Sequence, residues 1–219
     1  MENSNNFNKE QNKLWESYFY PNTDAFVNKK GITDEKELQK CEREYSDLRI
    51  RELHDNPIEG NFDIKHLCDI HKYLFDDLYD WAGKIRDVTM TKEGYSKITA
   101  VSDIEMFLEK DLILLKQGLK NVYNLDTFAE LLADFYMGLA TIHPFREGNG
   151  RAIREFLREF VISKSTLLGL EPAYTIDWSL VDRKIVNETM HQLSGYSTLI
   201  KLEIRRGLVP YNPEKKKQL

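Results

Sequence analysis

His143-Pro144-Phe145-Arg146-Glu147-Gly148-Asn149-Gly150-Arg151-Ala152-Ile153-Arg154 connects two segments whose apolar residues recur at helical spacing. The preceding segment, about residues 127–142, is apolar or small around most of its circumference, which is typical of a helix that is buried on most sides. The following segment, about residues 151–163, carries one apolar face. The pattern therefore predicts a rigid central helix that ends directly before His143.

The second of these helices begins with charges that do not suit its position. The first turn of a helix carries a positive partial charge and favours acidic residues. Arg151 and Arg154 nevertheless lie there, on a face that also bears Arg158. A local rule that is broken without visible compensation marks a candidate functional site. We expect an anion with several charges to bind Arg151, Arg154 and the free amides of the helix start.

The loop between the two helices has the composition of a phosphate site. Gly148-Asn149-Gly150 can turn successive N–H groups toward one point. Glu147 offers a hard carboxylate oxygen suited to Mg²⁺ that bridges phosphates. His143 lies across the loop and can act as a general base. Together these are the groups that attack of a hydroxyl on a phosphate requires.

Each of these residues has a simpler interpretation when it is taken alone. A lone histidine after an apolar helix is more often a cap or a satisfied core residue, and Gly-Asn-Gly is usually a turn. Two arginines on a helix usually face solvent. Their coincidence in one loop favours the functional interpretation. A zinc site at His143 and Glu147 is excluded, because the glycine loop prevents helical ligand spacing and no third ligand is near.

Helical periodicity also dominates the rest of the chain. Further helices are expected from about 34 to 54, from about 64 to Gly83, from Ser102 onward, and near 180–193 and 198–206. The residues predicted to cap helices are Thr33 or Asp34, Ser102 with Glu105, and Thr127 with Glu130.

One segment, from Ile85 to Ile98, breaks this pattern. Val88-Thr89-Met90-Thr91 has no helical period and Lys92-Glu93-Gly94 has turn chemistry, so we predict a short β-hairpin. The fold class is therefore all-α with one hairpin. We expect a flexible segment with a short helix at 1–19, a main domain at 20–207 and a tail at 208–219.

Composition and charge restrict the class of protein. The chain has 219 residues, enough for one sizeable core, and its net charge of −5 gives nucleic acid no broad basic surface. The sequence has neither an apolar run of the roughly 18 residues that a membrane span needs nor the apolar core of a signal peptide. Cys41 and Cys68 lack metal-ligand spacing and are expected to be reduced. We therefore expect a cytoplasmic protein without nucleic-acid or membrane partners.

Residues 143–154 resemble the motif of the Fic (filamentation induced by cAMP) family, HxFx(D/E)GNGRxxR, at every defined position. Three other stretches are similar to segments that usually surround the Fic core, and the resemblance covers roughly residues 20–207. These stretches are Asn28-Lys29-Lys30-Gly31-Ile32-Thr33, Gly60-Asn61-Phe62-Asp63 and Asp80-Trp81-Ala82-Gly83-Lys84-Ile85-Arg86. The resemblance implies a Fic-type helical fold in which the hairpin is a flap that docks a target segment by strand pairing.

The resemblance also implies a reaction, the transfer of AMP from ATP to a tyrosine, threonine or serine hydroxyl of a target protein with release of pyrophosphate. His143 would deprotonate the hydroxyl that attacks the α-phosphate. Glu147 would hold Mg²⁺ or Mn²⁺ between the α- and β-phosphates, and Phe145 would anchor the loop. The implied phosphate contacts are Gly148, Asn149, Gly150, Arg151 and Arg154.

Two parts of the implied site rest on looser matches. The adenine pocket would involve Ser194-Gly195-Tyr196, where a core role explains Tyr196 equally well. The flap often carries an aromatic residue near the nucleotide, and Ile98 stands in the matching region here. The flap residues implied to dock the target are Val88, Thr89, Met90, Thr91 and Ile98.

Two other functions stay open. Some Fic relatives transfer another phosphate-containing group, as kinase-like or phosphocholine-transferring members do, although kinase members depart from the Gly-Asn-Gly-Arg stretch that is intact here. A catalytically silent helical binding module is the other alternative, and intact His143 and Glu147 argue against it. The target protein and the oligomeric state, including a homo-oligomer, also stay open. So does the role as a toxin, a housekeeping regulator or an effector delivered into another cell.

The resemblance finally implies a mode of control. Fic enzymes are commonly silenced by a helix with the pattern Ser/Thr-x-x-x-Glu-Gly/Asn, whose glutamate pairs with the second motif arginine, here Arg154. Thr33 to Glu37 has the spacing but not the following residue, and Asp55 to Glu59 has the ending but not the start. We therefore expect a small, separate antitoxin-like protein to supply the glutamate, as in toxin–antitoxin members.

Overall fold

The computed structural model describes residues 11–90, 99–191 and 197–212, and helices dominate these ranges. The predicted all-α class is therefore confirmed. Among the described residues no helix is both long and apolar enough to cross a membrane. The helices are α1 (residues 11–17), α2 (Glu35–Asp55), α3 (Ile64–Phe75), α4 (Ile104–Gly118), α5 (Leu125–Ile142), α6 (Asn149–Ser165), α7 (Arg183–His191) and α8 (Ser197–Gly207).

The central helix is α5, as its composition predicts. It packs against α4 and α8, and α6 lies beside it, between α5, α3 and the strand β1 (Tyr174–Ile176). The large apolar residues that share one face of α5 are buried, and Leu131 on the same face is partly buried. The buried members of that face are Phe128, Leu132, Phe135, Leu139 and Ile142.

Two short strands form an antiparallel sheet that the sequence did not predict. β1 pairs with β2 (Leu208–Pro210), with Tyr174 opposite Pro210 and Ile176 opposite Leu208. Each strand has three residues, which is too short for an alternating pattern to stand out. β2 lies within the segment expected to be a tail, and it lies against β1 instead of extending away from the core.

The cap of α2 was predicted correctly and that of α4 was not. The carboxylate of Asp34 accepts a hydrogen bond from the N–H of Glu37 in the first turn of α2. The residues around Ser102 form a 3₁₀ turn, Val101–Asp103, and the Ser102 hydroxyl donates to the side chain of Asp103. Ser102 therefore does not cap α4, since its hydroxyl donates to the carboxylate of Asp103 and accepts no N–H of the first turn of α4.

The capping box of α5 involves a different pair from the predicted one. Asn124 is the N-cap, and its side chain accepts from the N–H of Thr127 while Thr127 Oγ1 accepts from the N–H of Asn124. α5 therefore begins at Leu125, two positions before the predicted start. Asparagine is at least as strong an N-cap as threonine, which accounts for the earlier start.

The segment after α3 also differs from the prediction. α3 ends at Phe75, and the chain then turns until Gly83, which has the positive φ of 77° expected at the end of a helical segment. Residues 85–90 have no regular secondary structure, and Thr91 and Ile98 lie outside the described residues. The predicted hairpin therefore falls mostly on residues that the structure does not describe.

Candidate active site

The site lies where the last turn of α5 meets the first turn of α6. His143 is the C-cap of α5, with φ 51° and ψ 61°, and its N–H donates to the carbonyl of Leu139 at 2.9 Å. Only glycine adopts this left-handed conformation without cost, so a histidine here marks a constrained position. The residue is 8% exposed. As predicted, the central helix ends directly before His143.

Gly148 shapes the start of α6. It has φ 77°, and a Cβ atom at this position would collide with the ring of Phe75, so only glycine fits. The amides of Asn149 and Gly150 open the helix and have no carbonyl one turn earlier to bind. The N–H of Gly148 donates to Oε1 of Glu147 at 2.9 Å. The amides of Asn149 and Gly150 are thus the ones that can bind an anion.

The side chain of Asn149 has a different role from the one implied by the resemblance. Its Oδ1 accepts from the N–H of Phe145 and its Nδ2 donates to the carbonyl of Phe145, each at 2.8 Å. The residue is 3% exposed. Because the amide side chain closes the loop onto itself, a phosphate contact from Asn149 would come from its backbone N–H instead of from its side chain.

His71 supports the loop from below and was not recognised as a site residue from the sequence. Its ring stacks on Phe145 with centroids 3.9 Å apart. Its Nδ1 accepts from the N–H of Gly83 at 2.8 Å, so its Nε2 carries the proton and donates to the carbonyl of Glu147 at 2.9 Å. Burial lowers the pKa of His71 to about 4. His71 is therefore neutral and fixes the backbone beside Glu147.

Arg151 is compensated, contrary to the prediction. Its guanidinium forms an ion pair with Glu42 of α2, donates to Ser46 Oγ at 3.0 Å and lies over the ring of Phe75. The other oxygen of Glu42 accepts from the hydroxyl of Tyr79. This network fixes the position of Arg151. No signal near the motif identifies Glu42, which precedes Arg151 by 109 residues.

Arg154 fits the prediction of an uncompensated cation. Among the described residues, no carboxylate lies within ion-pair distance of its guanidinium, which is hydrogen-bonded to Tyr136. Burial lowers the pKa of Arg154, and the nearby charges of Arg183 and Arg151 lower it further. A partly buried guanidinium with like charges around it favours an anionic ligand.

Arg158, which the sequence places on the same face, belongs to the core. It is 4% exposed and forms a bidentate ion pair with Glu155, three residues earlier on α6. Its Nη2 also donates to the carbonyl of Leu53 at 3.0 Å. The polar face of α6 is therefore covered by α2 at Arg158, and the motif cations that can bind a ligand, Arg151 and Arg154, lie in its first two turns.

A cavity of about 1340 Å³ opens beside the two motif arginines, between α2, α6 and the β1–β2 sheet. Arg151, Arg154 and Trp178 line it, together with Arg183 from the start of α7. The sequence did not identify Arg183, because an Asp-Arg-Lys run at a helix start usually faces solvent. The cavity gives an anion at the arginines, or a partner segment, ample room.

Arg146 lies in the motif but points away from this cavity. Its guanidinium is 3.9 Å from the ring centre of Trp15 and 4.6 Å from that of Phe26, and Tyr18 and Phe19 complete an aromatic cage. Burial lowers its pKa to about 10, and its Nε has no hydrogen-bond partner. The cage joins α1 and the segment after it to the motif loop, a contact that no sequence pattern predicts.

A metal ion at this site would need further ligand atoms from a bound phosphate or from water. Within the described residues, no cluster of three or more His, Cys, Asp or Glu side chains could hold an ion. Glu147 is exposed, and only its Oε1 accepts the Gly148 amide. One available carboxylate suits Mg²⁺, which is commonly bound by one or two carboxylates together with substrate phosphates and water. The residues therefore fit a magnesium ion that is also bound by the phosphates of a ligand.

The remaining predicted site residues are described in part. Ser194, Gly195 and Tyr196 lie outside the described residues, as do Thr91 and Ile98. Met90 is half-buried and lies outside the regular secondary structure. Val88 is fully buried, and the N–H of Thr89 donates to Oε1 of Gln11 at 2.8 Å.

Comparison with known families identifies relatives of the chain. The Fic/DOC family matches residues 61–161, a range that contains the whole motif. The "Protein adenylyltransferase VbhT" of Bartonella schoenbuchensis is 35% identical over 198 residues, which are 89% of this chain and 39% of that protein. The chain thus spans well under half the length of this relative. The "Probable protein adenylyltransferase y4lH" of Sinorhizobium fredii is 30% identical over 85% of this chain and 93% of its own length.

Solved structures give the same picture. The BepC protein of Bartonella tribocorum, solved with bound AMPPNP, has a TM-score of 0.73 and 28% identity, covering 89% of this chain and 97% of that one. An N-terminal Fic domain from Bartonella quintana, solved with bound ADP, has a TM-score of 0.76 and 26% identity, covering 89% and 95%. The helical arrangement described above is therefore shared with nucleotide-bound relatives.

Proposed function

Because the chain belongs to the Fic/DOC family, we propose that it is a protein adenylyltransferase, which transfers AMP from ATP to a hydroxyl side chain of a target protein. The observation that carries the proposal is Arg154, a partly buried cation without a described carboxylate partner beside a helix start with free amides. Such a place suits a polyphosphate. Relatives solved with AMPPNP and ADP support ATP as the nucleotide.

The residues divide the reaction among them. The imidazole of His143 takes the proton of the target hydroxyl, whose oxygen forms a bond with the α-phosphorus. The bond from the α-phosphorus to the bridging oxygen of the β-phosphate breaks, and pyrophosphate leaves. Arg151, which is fixed by Glu42, and Arg154 bind the β- and γ-phosphates. They thereby stabilise the negative charge that develops on the leaving pyrophosphate. The amides of Asn149 and Gly150 bind phosphate oxygens.

We assign a magnesium or manganese ion to Glu147, whose exposed carboxylate has one oxygen outside the Gly148 hydrogen bond. A bound divalent cation would neutralise negative charge on the phosphates of ATP. His71 donates to the backbone carbonyl of Glu147 and thereby fixes the backbone position of the residue proposed to bind the metal ion.

The target segment is proposed to pair with the flap through its main chain, as a peptide adds to an exposed strand edge. Val88 and Thr89 are the described start of this edge. The N–H of Thr89 donates to the side-chain carbonyl of Gln11. A main-chain carbonyl of the target would replace Gln11 as the acceptor of this hydrogen bond. A serine, threonine or tyrosine hydroxyl near His143 completes the substrate.

Control by a separate antitoxin-like protein is part of the proposal. Glu37 lies in the first turn of α2 and Glu59 lies outside the helices, and neither forms an ion pair with Arg154. The cavity beside Arg154 has room for a partner segment that carries a glutamate. A glutamate from such a partner would occupy the guanidinium that the γ-phosphate needs. We expect the chain to act in the cytoplasm of the cell that makes it, or of a cell that receives it.

The direct test is intact-mass spectrometry after incubation with ATP and Mg²⁺. A candidate target, or the chain itself, should gain the mass of one AMP moiety. His143→Ala should lower the rate by about 10²–10⁴-fold, the usual cost of losing a general base, while ATP binding persists. A gain of a single phosphate mass would indicate kinase-like transfer instead. Near-normal transfer by His143→Ala would refute the assigned base.

A further inference from the structure

Arg86 is among the largest fully buried side chains of the described residues, and it has no role in the proposed reaction. It is 2% exposed. Its Nε donates to the carbonyl of His143 and its Nη1 to that of Val88, each at 2.8 Å. Its Nη2 donates to the carbonyls of Thr99 and Ile142. Every described hydrogen bond of this guanidinium therefore goes to backbone oxygen.

The charge of Arg86 is balanced by dipoles instead of by a carboxylate. Among the described residues it has no ion pair, and burial lowers its pKa, although an arginine stays protonated in proteins. Two of its acceptors, Ile142 and His143, are carbonyls at the end of α5. The C-terminal end of a helix carries negative partial charge and stabilises a cation. The position therefore suits an arginine whose guanidinium binds backbone carbonyls.

These bonds join three parts of the site. One acceptor is the carbonyl of His143 itself, in the left-handed conformation that a histidine does not adopt without cost. The N–H of Arg86 also donates to the carbonyl of Pro144 at 2.8 Å. Two further acceptors, Val88 and Thr99, lie on either side of the predicted flap turn. One side chain thus connects the backbone of His143 to described residues before and after the predicted flap turn.

We propose that Arg86 is a positioning residue for AMP transfer. It fixes the left-handed backbone of His143, and with it the position of the imidazole, relative to Val88 and Thr99. The inference rests on the proposed function and adds a residue to it that contacts neither ATP nor the hydroxyl. A guanidinium has N–H donors in a rigid planar arrangement and can bind several carbonyls at once. The ammonium of lysine is a compact charge at the end of a flexible chain and cannot reproduce this arrangement. Arg86→Lys therefore keeps the charge and loses the geometry.

The test separates chemistry from nucleotide binding. Transfer by Arg86→Lys is measured in single turnovers at saturating ATP, with the intact chain and the target that the wild type modifies. We expect the transfer rate to fall by about 10²-fold, the loss that a displacement of about 1 Å in a reacting group can cause. The Kd of ATP should stay at the wild-type value, because Arg151 and Arg154 are unchanged.

Arg158→Lys is the matched control. Arg158 is a second buried arginine, 4% exposed, whose partners are Glu155 and the carbonyl of Leu53. Its substitution should lower the melting temperature as Arg86→Lys does, and should leave the transfer rate at the wild-type value. A loss of rate that follows loss of stability in both variants would overturn the proposal. If Arg86→Lys does not fold, Arg86→Gln is measured in its place against the same control.

The remaining outcomes are distinct. Wild-type rate in Arg86→Lys overturns the positioning role and leaves the proposed function intact. Equal loss of ATP affinity and of rate also overturns it, because a residue that positions only the backbone of His143 does not change nucleotide binding. Absence of transfer by the wild-type chain on every target tested would overturn the proposed function together with this inference.

Discussion

Arg151 and Arg154 show how two residues of one motif can differ in their surroundings. Arg151 is neutralised by Glu42 and fixed by Ser46, whereas Arg154 has like charges around it. We therefore assign to Arg154 most of the uncompensated attraction for phosphate. Arg151 provides a donor whose direction is set before ATP arrives, which reduces the ordering cost of binding.

This difference predicts a variant that is more stable than the wild type and binds ATP more weakly. Arg154→Met removes a cation that is partly buried without a carboxylate, so the free energy of unfolding without ATP should rise by about 1 kcal/mol. The affinity for ATP should fall by about 1.5–3 kcal/mol, the worth of a charge-assisted hydrogen bond. Denaturant unfolding and calorimetric titration measure the two quantities.

Arg158→Met is the control for that experiment. It leaves Glu155 buried without its partner, so the free energy of unfolding should fall by about 3–5 kcal/mol while the ATP affinity of the folded protein is unchanged. If Arg154→Met were destabilised as strongly as Arg158→Met, Arg154 would have a structural partner and would not be the uncompensated cation of the site.

His71 predicts a pH dependence of stability. Its pKa is about 4 in the folded protein, below the ordinary value of 6.5, so the unfolded chain binds its proton first as pH falls. The stability that depends on neutral His71 is complete above about pH 6.5 and is lost progressively toward about pH 4. The full effect is roughly 3 kcal/mol. Denaturant unfolding of wild type and His71→Gln between pH 7 and 5 should show a smaller decrease for the variant, and parallel decreases would contradict the prediction.

The residues of the site were predictable where the chemistry is local. His143, Glu147, Arg151 and Arg154 lie within one loop and its helices, so their coincidence is visible in the sequence. Glu42 reaches Arg151 across 109 residues, and Arg86 reaches His143 across 57. A contact over such distances depends on how helices pack, and a single sequence carries no pattern for it.

At the scale of elements, helix periodicity predicted the existence of the long helices and local hydrogen bonds decided their ends. α5 begins at Leu125, after the N-cap Asn124, because the side chains of Asn124 and Thr127 bind each other's N–H groups. The β1–β2 sheet was missed because each strand has three residues. Pairing between residues 174 and 210 is a tertiary contact and not a local preference.

The flap gives a prediction at this scale. Thr91→Pro removes one backbone donor from the proposed docking edge, and should lower transfer to a protein target while the Kd of ATP is unchanged. The matched change is Gln11→Ala, which releases the Thr89 amide without altering the edge, and which should leave transfer equal or higher. Nucleotide affinity and target labelling are measured for both. Parallel loss of ATP binding and transfer in Thr91→Pro would mean that the segment is structural.

At the scale of the whole molecule, the open question is what occupies Arg154 when the protein is silent. None of the described carboxylates does so. The purified chain alone should therefore label itself or a target with ATP, and a small partner that carries the inhibitory glutamate should stop it. Labelling with radioactive ATP measures both states. A chain that is silent alone and is activated by Glu37→Gly or Glu59→Gly would show that control is internal.

The position of β2 has a consequence for the synthesis of the protein. Val209 and Tyr211 line the wall of the cavity beside the motif arginines, and they follow Arg154 by 55 and 57 residues. A nascent chain whose motif has already left the ribosome still lacks this wall, because β2 pairs with β1 only after Leu208–Pro210 have emerged. During translation the base, the loop and the arginines therefore exist before the cavity beside them is closed. The cavity beside the motif arginines is therefore completed only after almost all of the described residues have been made.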